Sequence, residues 1–124
     1  MYCKLFLYTD MSQSKLAHLV TQLVGGDQGR WSITSSVVVI FVNDNDFFNR
    51  AKKEDIHDGF LYYRYFLDIE PQSEKDELYV ETIANLITKL WNRDINAVAA
   101  CDFEDLLPGK GGIAFLAEKT SRSE

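Results

Sequence analysis

Two helical stripes, separated by runs of a different period, constrain this chain more than any other feature. Leu16, Leu19, Val20, Leu23 and Val24 recur at helical spacing, and so do Tyr79, Ile83, Leu86, Ile87 and Leu90. Each set gives a helix one apolar side and therefore something to cover. Around them lie four short runs: Tyr2 to Tyr8, Trp31 to Val42, Phe60 to Ile69 and Ala97 to Cys101. The first three are aromatic or β-branched, types that lose rotamer freedom in a helix and pack well on a pleated surface. The chain therefore reads β-α-β-β-α-β.

That order predicts an α+β fold of the ferredoxin-like βαββαβ kind, with two helices on one face of a four-stranded antiparallel sheet and the second face open. Local signals mark the boundaries. Asp10 and Gln13 have capping-box spacing ahead of the first stripe, and Gly25-Gly26 supplies a left-handed stop. Ser35-Ser36 suggests a bulge in the second strand. In Phe60 to Ile69 the odd positions Leu61, Tyr63, Tyr65, Leu67 and Ile69 are apolar or aromatic and are assigned to the core. Pro71 and Ser73 open the second helix, Ser73 having capping spacing with Asp76; Glu74, Asp76 and Glu77 suit its positive end, and Lys89 and Arg93 its negative end. In this topology the start of strand 1, the end of strand 2, the start of strand 3 and the end of strand 4 are expected at one edge, with Cys3 and Cys101 on neighbouring strands as reduced thiols.

With 124 residues, 46% of them hydrophobic, the chain has enough material for one domain over 1–124, fraying from about residue 118. Thirteen Lys and Arg against nineteen Asp and Glu leave a net charge of -6, the wrong sign for a phosphate backbone or an anionic membrane. No stretch approaches the roughly 18 apolar residues of a membrane span. The expectation is a cytoplasmic protein with no nucleic-acid or membrane partner. The two cysteines lack CxxC or His-spaced companions, so no metal and no cofactor is expected.

The acidity is concentrated: residues 54–81 hold nine acidic side chains against two basic ones. Glu74, Asp76 and Glu77 are explained by the start of the second helix, and Glu81 by its solvated side. The remaining acids are expected to gather at one edge, Asp44, Asp46, Glu54, Asp55 and Asp58 beside Asp102, Glu104 and Asp105. Phe60, Tyr62 and Phe66 on the helix-free face would give that edge anchors, unless the segment Gly112 to Ala117 folds back and covers them. Several other motifs fail on inspection. Asp44-Asn45-Asp46 lacks the glycine and bidentate glutamate of a calcium loop and reads as an Asx turn. Pro108-Gly109-Lys110-Gly111-Gly112 lacks phosphate-loop spacing and reads as a turn. His18 and His57 have no partner at ligand spacing, and no serine has a visible base, so the chain is not expected to be an enzyme. Tyr62-Tyr63-Arg64-Tyr65-Phe66 invites comparison with the base-stacking strand of RNA-recognition domains, but its glycine-punctuated basic signature is missing.

A separate line comes from the run Gly59-Phe60-Leu61-Tyr62-Tyr63-Arg64-Tyr65-Phe66-Leu67-Asp68-Ile69-Glu70-Pro71, with Ala99-Ala100-Cys101-Asp102-Phe103-Glu104-Asp105-Leu106-Leu107-Pro108, in a small acidic chain. In these features the protein resembles bacterial immunity proteins that protect against polymorphic toxins, including those of contact-dependent growth inhibition. The resemblance implies a cytosolic inhibitor that binds a cognate toxin domain, frequently a nuclease, and masks its basic active site. The surface expected to do so comprises Asp44, Asp46, Asp55, Asp58, Tyr62, Arg64, Asp102 and Glu104, with Arg64 orienting an acidic side chain, and a monomer in complex is expected ahead of a homodimer. The alternative is a non-catalytic ferredoxin-like domain that binds a ligand or regulates as a homodimer through its open sheet.

Overall fold

The computed structural model describes residues 2–49, 59–72 and 74–112. Its elements are β1 (Cys3–Tyr8), α1 (Gln13–Val24), β2 (Asp27–Gln28), β3 (Ser32–Thr34), β4 (Val38–Asp44), β5 (Tyr65–Pro71), α2 (Asp76–Trp91) and β6 (Asn96–Ala100). The fold is α+β, two helices with a six-stranded antiparallel sheet in the order β2-β3-β4-β5-β1-β6.

Six strands replace the four expected because the Trp31–Val42 run turns back on itself where a bulge was predicted. The Ser35 hydroxyl accepts the backbone N–H of Val37 at 3.2 Å and of Val38 at 3.0 Å, and its own N–H donates to the Val38 carbonyl. A serine that satisfies the backbone locally in this way breaks the ladder and makes a turn. β3 then pairs with β4, Ile33 opposite Ile40, and β2 extends the same edge.

The helices cover one face. Cys3, Leu5 and Leu7 of β1, Ile40 and Val42 of β4, Tyr65, Leu67 and Ile69 of β5, and Ala97 and Ala99 of β6 are buried with Leu16, Ala17 and Val20 of α1 and with Tyr79, Ile83, Leu86, Ile87 and Leu90 of α2. The predicted stripes are thus the buried ones, Leu19, Leu23 and Val24 being partly buried at the margin. Lys89 ties the helices together, its Nζ donating to the Leu23 carbonyl at 3.1 Å, where the last turn of α1 carries its negative end.

Several boundaries differ from expectation. Ser12, not Asp10, caps α1, its hydroxyl accepting the Lys15 N–H at 3.2 Å. Gln13 instead reaches the sheet, its Nε2 donating to the Val42 carbonyl at 2.9 Å. Gly25 ends α1 at φ 79°, the left-handed stop that glycine permits. Pro71 belongs to the end of β5, α2 starts at Asp76, and Ser73 lies outside the described residues. β5 begins at Tyr65, since Gly59–Tyr62 forms a 3-10 turn. Leu61 is consequently 40% exposed, and Tyr63 is buried on the helix-free side with Phe6 and Val98.

Candidate functional site

The ladder registers decide which predicted residues can act together. Leu7 pairs with Tyr65 and Asp44 with Tyr65, so the ends of β1 and β4 lie beside the start of β5. Lys4 pairs with Ala100 and Cys3 with Ile69, so the end of β6 lies at the opposite end, beside the start of β1. The expectation of a single acidic edge is therefore overturned. The crossover through α1 brings β4 back in the direction of β1, which puts their ends together and keeps the end of β4 away from the start of β1. Asp44, Asp46, Tyr62 and Arg64 gather at one end of the sheet. Asp102 and Glu104 follow β6 at the other, about 15–20 Å away at the usual rise per strand residue. Asp55 and Asp58, like Glu54 and His57, lie outside the described residues, as do Ile113 to Ala117.

At the β4 end, one residue organises the backbone. Asn45 is the buried polar side chain among the described residues, 7% exposed. Its amide donates to the carbonyls of Leu61 at 2.9 Å and Tyr63 at 2.6 Å, and its Oδ1 accepts the Phe47 N–H at 3.0 Å, the last bond being the predicted Asx turn. Asn45 N–H donates to the Arg64 carbonyl, and Asn49 N–H to that of Tyr62. The loop after β4 and the turn before β5 are thereby locked together. Their locking turns Phe47 and Leu61 outward, 75% and 40% exposed respectively.

Arg64 is engaged within the fold. Its guanidinium stands 5.1 Å from the Tyr65 ring centre and donates to the Asp10 carbonyl at 3.3 Å. The Tyr65 hydroxyl donates to the Met11 carbonyl at 2.7 Å, and burial pushes its pKa up, with Arg64 opposing. Arg64 thus fastens the start of β5 to the segment after β1 and still lies at the rim beside Asp44 and Asp46, both exposed.

The helix-free face is lined with rings. Phe6, Tyr63 and Val98 are buried there, with Tyr8, Phe60 and Phe66 packed against them; Phe6 meets Phe60 edge-on at 5.4 Å. Phe60 and Phe66 therefore occupy the predicted face. Between these rings and the Asn45 turn lies a cavity of about 440 Å³, its wall including Lys4, Phe6, Phe66, Tyr62, Phe47 and Leu61. Sequence patterning pointed to Tyr62 and Phe66. It missed Lys4 because a lone lysine in an apolar strand reads as a solvent-facing residue, and it missed Phe47 because an aromatic residue inside an irregular Asx turn belongs to no helical or strand period.

The opposite end has a different chemistry. Cys101 follows Ala100 beside Cys3, and both are free thiols as expected. Burial pushes the Cys3 thiol far up, the neighbouring Cys101 adding to the effect, which suppresses the reactive thiolate. Glu104 accepts the Cys101 N–H at 3.2 Å, so its carboxylate stabilises the turn that follows β6. Among the described residues no group of His, Cys, Asp and Glu has the arrangement to hold a metal ion, and no helix is long and apolar enough to cross a membrane. His18 is exposed beside Gln22 on α1. No protein-family model, curated protein or solved structure matches the chain.

Proposed function

We propose that the chain is a non-catalytic binding protein of the bacterial immunity type, which neutralises a cognate toxin in the cytosol by covering its basic active site. One observation carries this reading: Phe47 and Leu61 stand exposed at the same end of the sheet, bordered by Asp44, Asp46, Tyr62 and Arg64. Single exposed apolar side chains are ordinary. Two large ones on one cavity, bordered by charged and polar groups, have the apolar centre and polar rim of a protein interface. The carboxylates would steer a basic partner and the rings would hold it once water is expelled. Asp102 and Glu104 are not part of this contiguous patch.

The accompanying fold reading is a ferredoxin-like split βαβ to which the β2–β3 hairpin has been added. It is supported by the inner order β6-β1-β5-β4 and by helices on one face only. The test is calorimetry with the product of the adjacent upstream gene, which this reading expects to be the toxin. The wild-type chain should form a one-to-one complex. Asp44→Lys with Asp46→Lys and Phe47→Ser should weaken it by about 100-fold or more, on the scale of hot-spot losses, and flatten its salt dependence without lowering Tm appreciably. Undiminished protection by that triple variant would remove the site assignment.

A second reading, a ligand-binding or regulatory domain, is favoured by the cavity itself, whose size falls in the range of small-molecule sites. Light scattering separates the two: a tight homodimer that buries Tyr62 and Phe66 supports the second, and a monomer that pairs with the toxin supports the first.

A further inference from the structure

Strand alternation sends Lys4, between the buried Cys3 and Leu5, to the helix-free face. There its Nζ stands 4.3 Å from the centre of the Phe66 ring and 5.7 Å from that of Phe6. The ring faces attract the ammonium but accept none of its three N–H donors in full hydrogen bonds. The nearest acid by register is Asp68, directly across the β1–β5 ladder. Its two carboxylate oxygens are held elsewhere, one accepting the Tyr2 hydroxyl and the other the Asn43 amide at 3.1 Å. Among the described residues the Lys4 ammonium has rings against it and no ion pair. A half-buried cation lacking an anion is an unbalanced charge, and an incoming anion would balance it.

The cavity beside Lys4 says what else that anion must carry. The Asn45 side chain on its wall is fully engaged by Leu61, Tyr63 and Phe47. Two charged groups therefore face the space, Lys4 at the ring floor and the exposed Asp46 at the rim, and the remaining lining is aromatic or aliphatic. A single lysine suits one carboxylate, whereas phosphate groups call for several donors or a forked guanidinium. Asp46 disfavours a second negative charge at the mouth. We propose that this cavity is a binding site for a small organic monocarboxylate with a flat apolar body, its carboxylate on Lys4 and its body on Phe6 and Phe66. The proposal rests on the second, ligand-binding reading and names its ligand class.

The test is an NMR titration of the full chain with 3-phenylpropanoate and, in parallel, with its neutral amide, which shares the ring. The acid should produce saturable shifts at Lys4, Phe6, Phe47 and Phe66, and the amide should bind about 10-fold more weakly or worse, a difference of about 1.4 kcal/mol. Lys4→Met, which keeps the packing on the rings, should remove that preference for the acid. Lys4→Arg should retain it, which guards against a folding artefact. Asp46→Asn should bind the acid as well as or better than wild type. Equal binding of acid and amide would sink the carboxylate assignment while leaving a ligand pocket in place. No saturable shift with either would sink both. Weaker binding of the acid by Asp46→Asn would overturn the charge assignment of the site, because Asp46 would then be helping to hold the anion where a carboxylate at the mouth should oppose it.

Discussion

The two faces of the sheet are built from alternate residues of the same strands and differ in how completely they are closed. On the helix side, Leu5, Leu7, Leu67 and Ile69 are fully buried under two helices. On the other, Phe6 is buried by Phe60 and Tyr63, yet Phe66 is only half-covered and Phe41 is 42% exposed. A face finished with aliphatic side chains under helices holds the fold together. A face finished with rings, one cation and an open cavity has kept surface for something else.

That contrast can be broken in graded ways. Leu67→Ala, beneath both helices, should lower stability by about 2–5 kcal/mol in denaturant unfolding, the range for a cavity that cannot collapse. Asn45→Ala should follow at about 2–3 kcal/mol, because it leaves the Leu61 and Tyr63 carbonyls without their donor. It should also release the exposed rings, visible as faster amide exchange at Phe47. Phe66→Ala, the same strand but the open face, should reduce stability by only about 1–2 kcal/mol, since half-covered area gains less from burial. A loss equal to that of Leu67→Ala would mean that the two faces are equally closed.

Tyr79→Phe should have the smallest effect near neutrality, about 1 kcal/mol, through loss of the 2.8 Å bond from its hydroxyl to the Ile69 carbonyl. Its interest lies in alkali. Burial raises the Tyr79 pKa well above the usual value near 10. The folded state therefore keeps a proton that the unfolded chain releases, and the contribution of Tyr79 is complete below about pH 10 and declines as pH rises further. Unfolding free energy measured between pH 9 and pH 11.5 should fall less steeply in the phenylalanine variant. An unchanged slope would show that the other buried hydroxyls and thiols account for the alkaline loss.

Both helices, their buried stripes and the four long strands were legible because each depends on a period repeated over many residues. What escaped was decided by single side chains acting on backbone. Ser35 converts one long β-branched run into a hairpin, and Asn45 converts the front of the Phe60 run into a turn. Neither leaves a periodic trace. The candidate site was half-legible. Tyr62, Arg64, Asp44 and Asp46 do meet, since local sequence and one strand pairing bring them together. Asp102 and Glu104 lie at the far end because β1 and β4 run the same way, each antiparallel to β5, while β6 runs against β1; residue alternation carries no information on which way a strand runs.

The turn over Pro108–Gly112 reaches past its own geometry. Gly109, Lys110, Gly111 and Gly112 all adopt positive φ, and a side chain at Gly112 would stand 2.5 Å from the Ala97 carbonyl oxygen. Backbone thus lies along the free margin of β6, while the other margin ends in the two-residue β2. A growing fibril needs an unoccupied ribbon of amide and carbonyl groups to copy. This protein offers a stub on one side and an occupied rail on the other, which channels any self-association away from strand-by-strand templating.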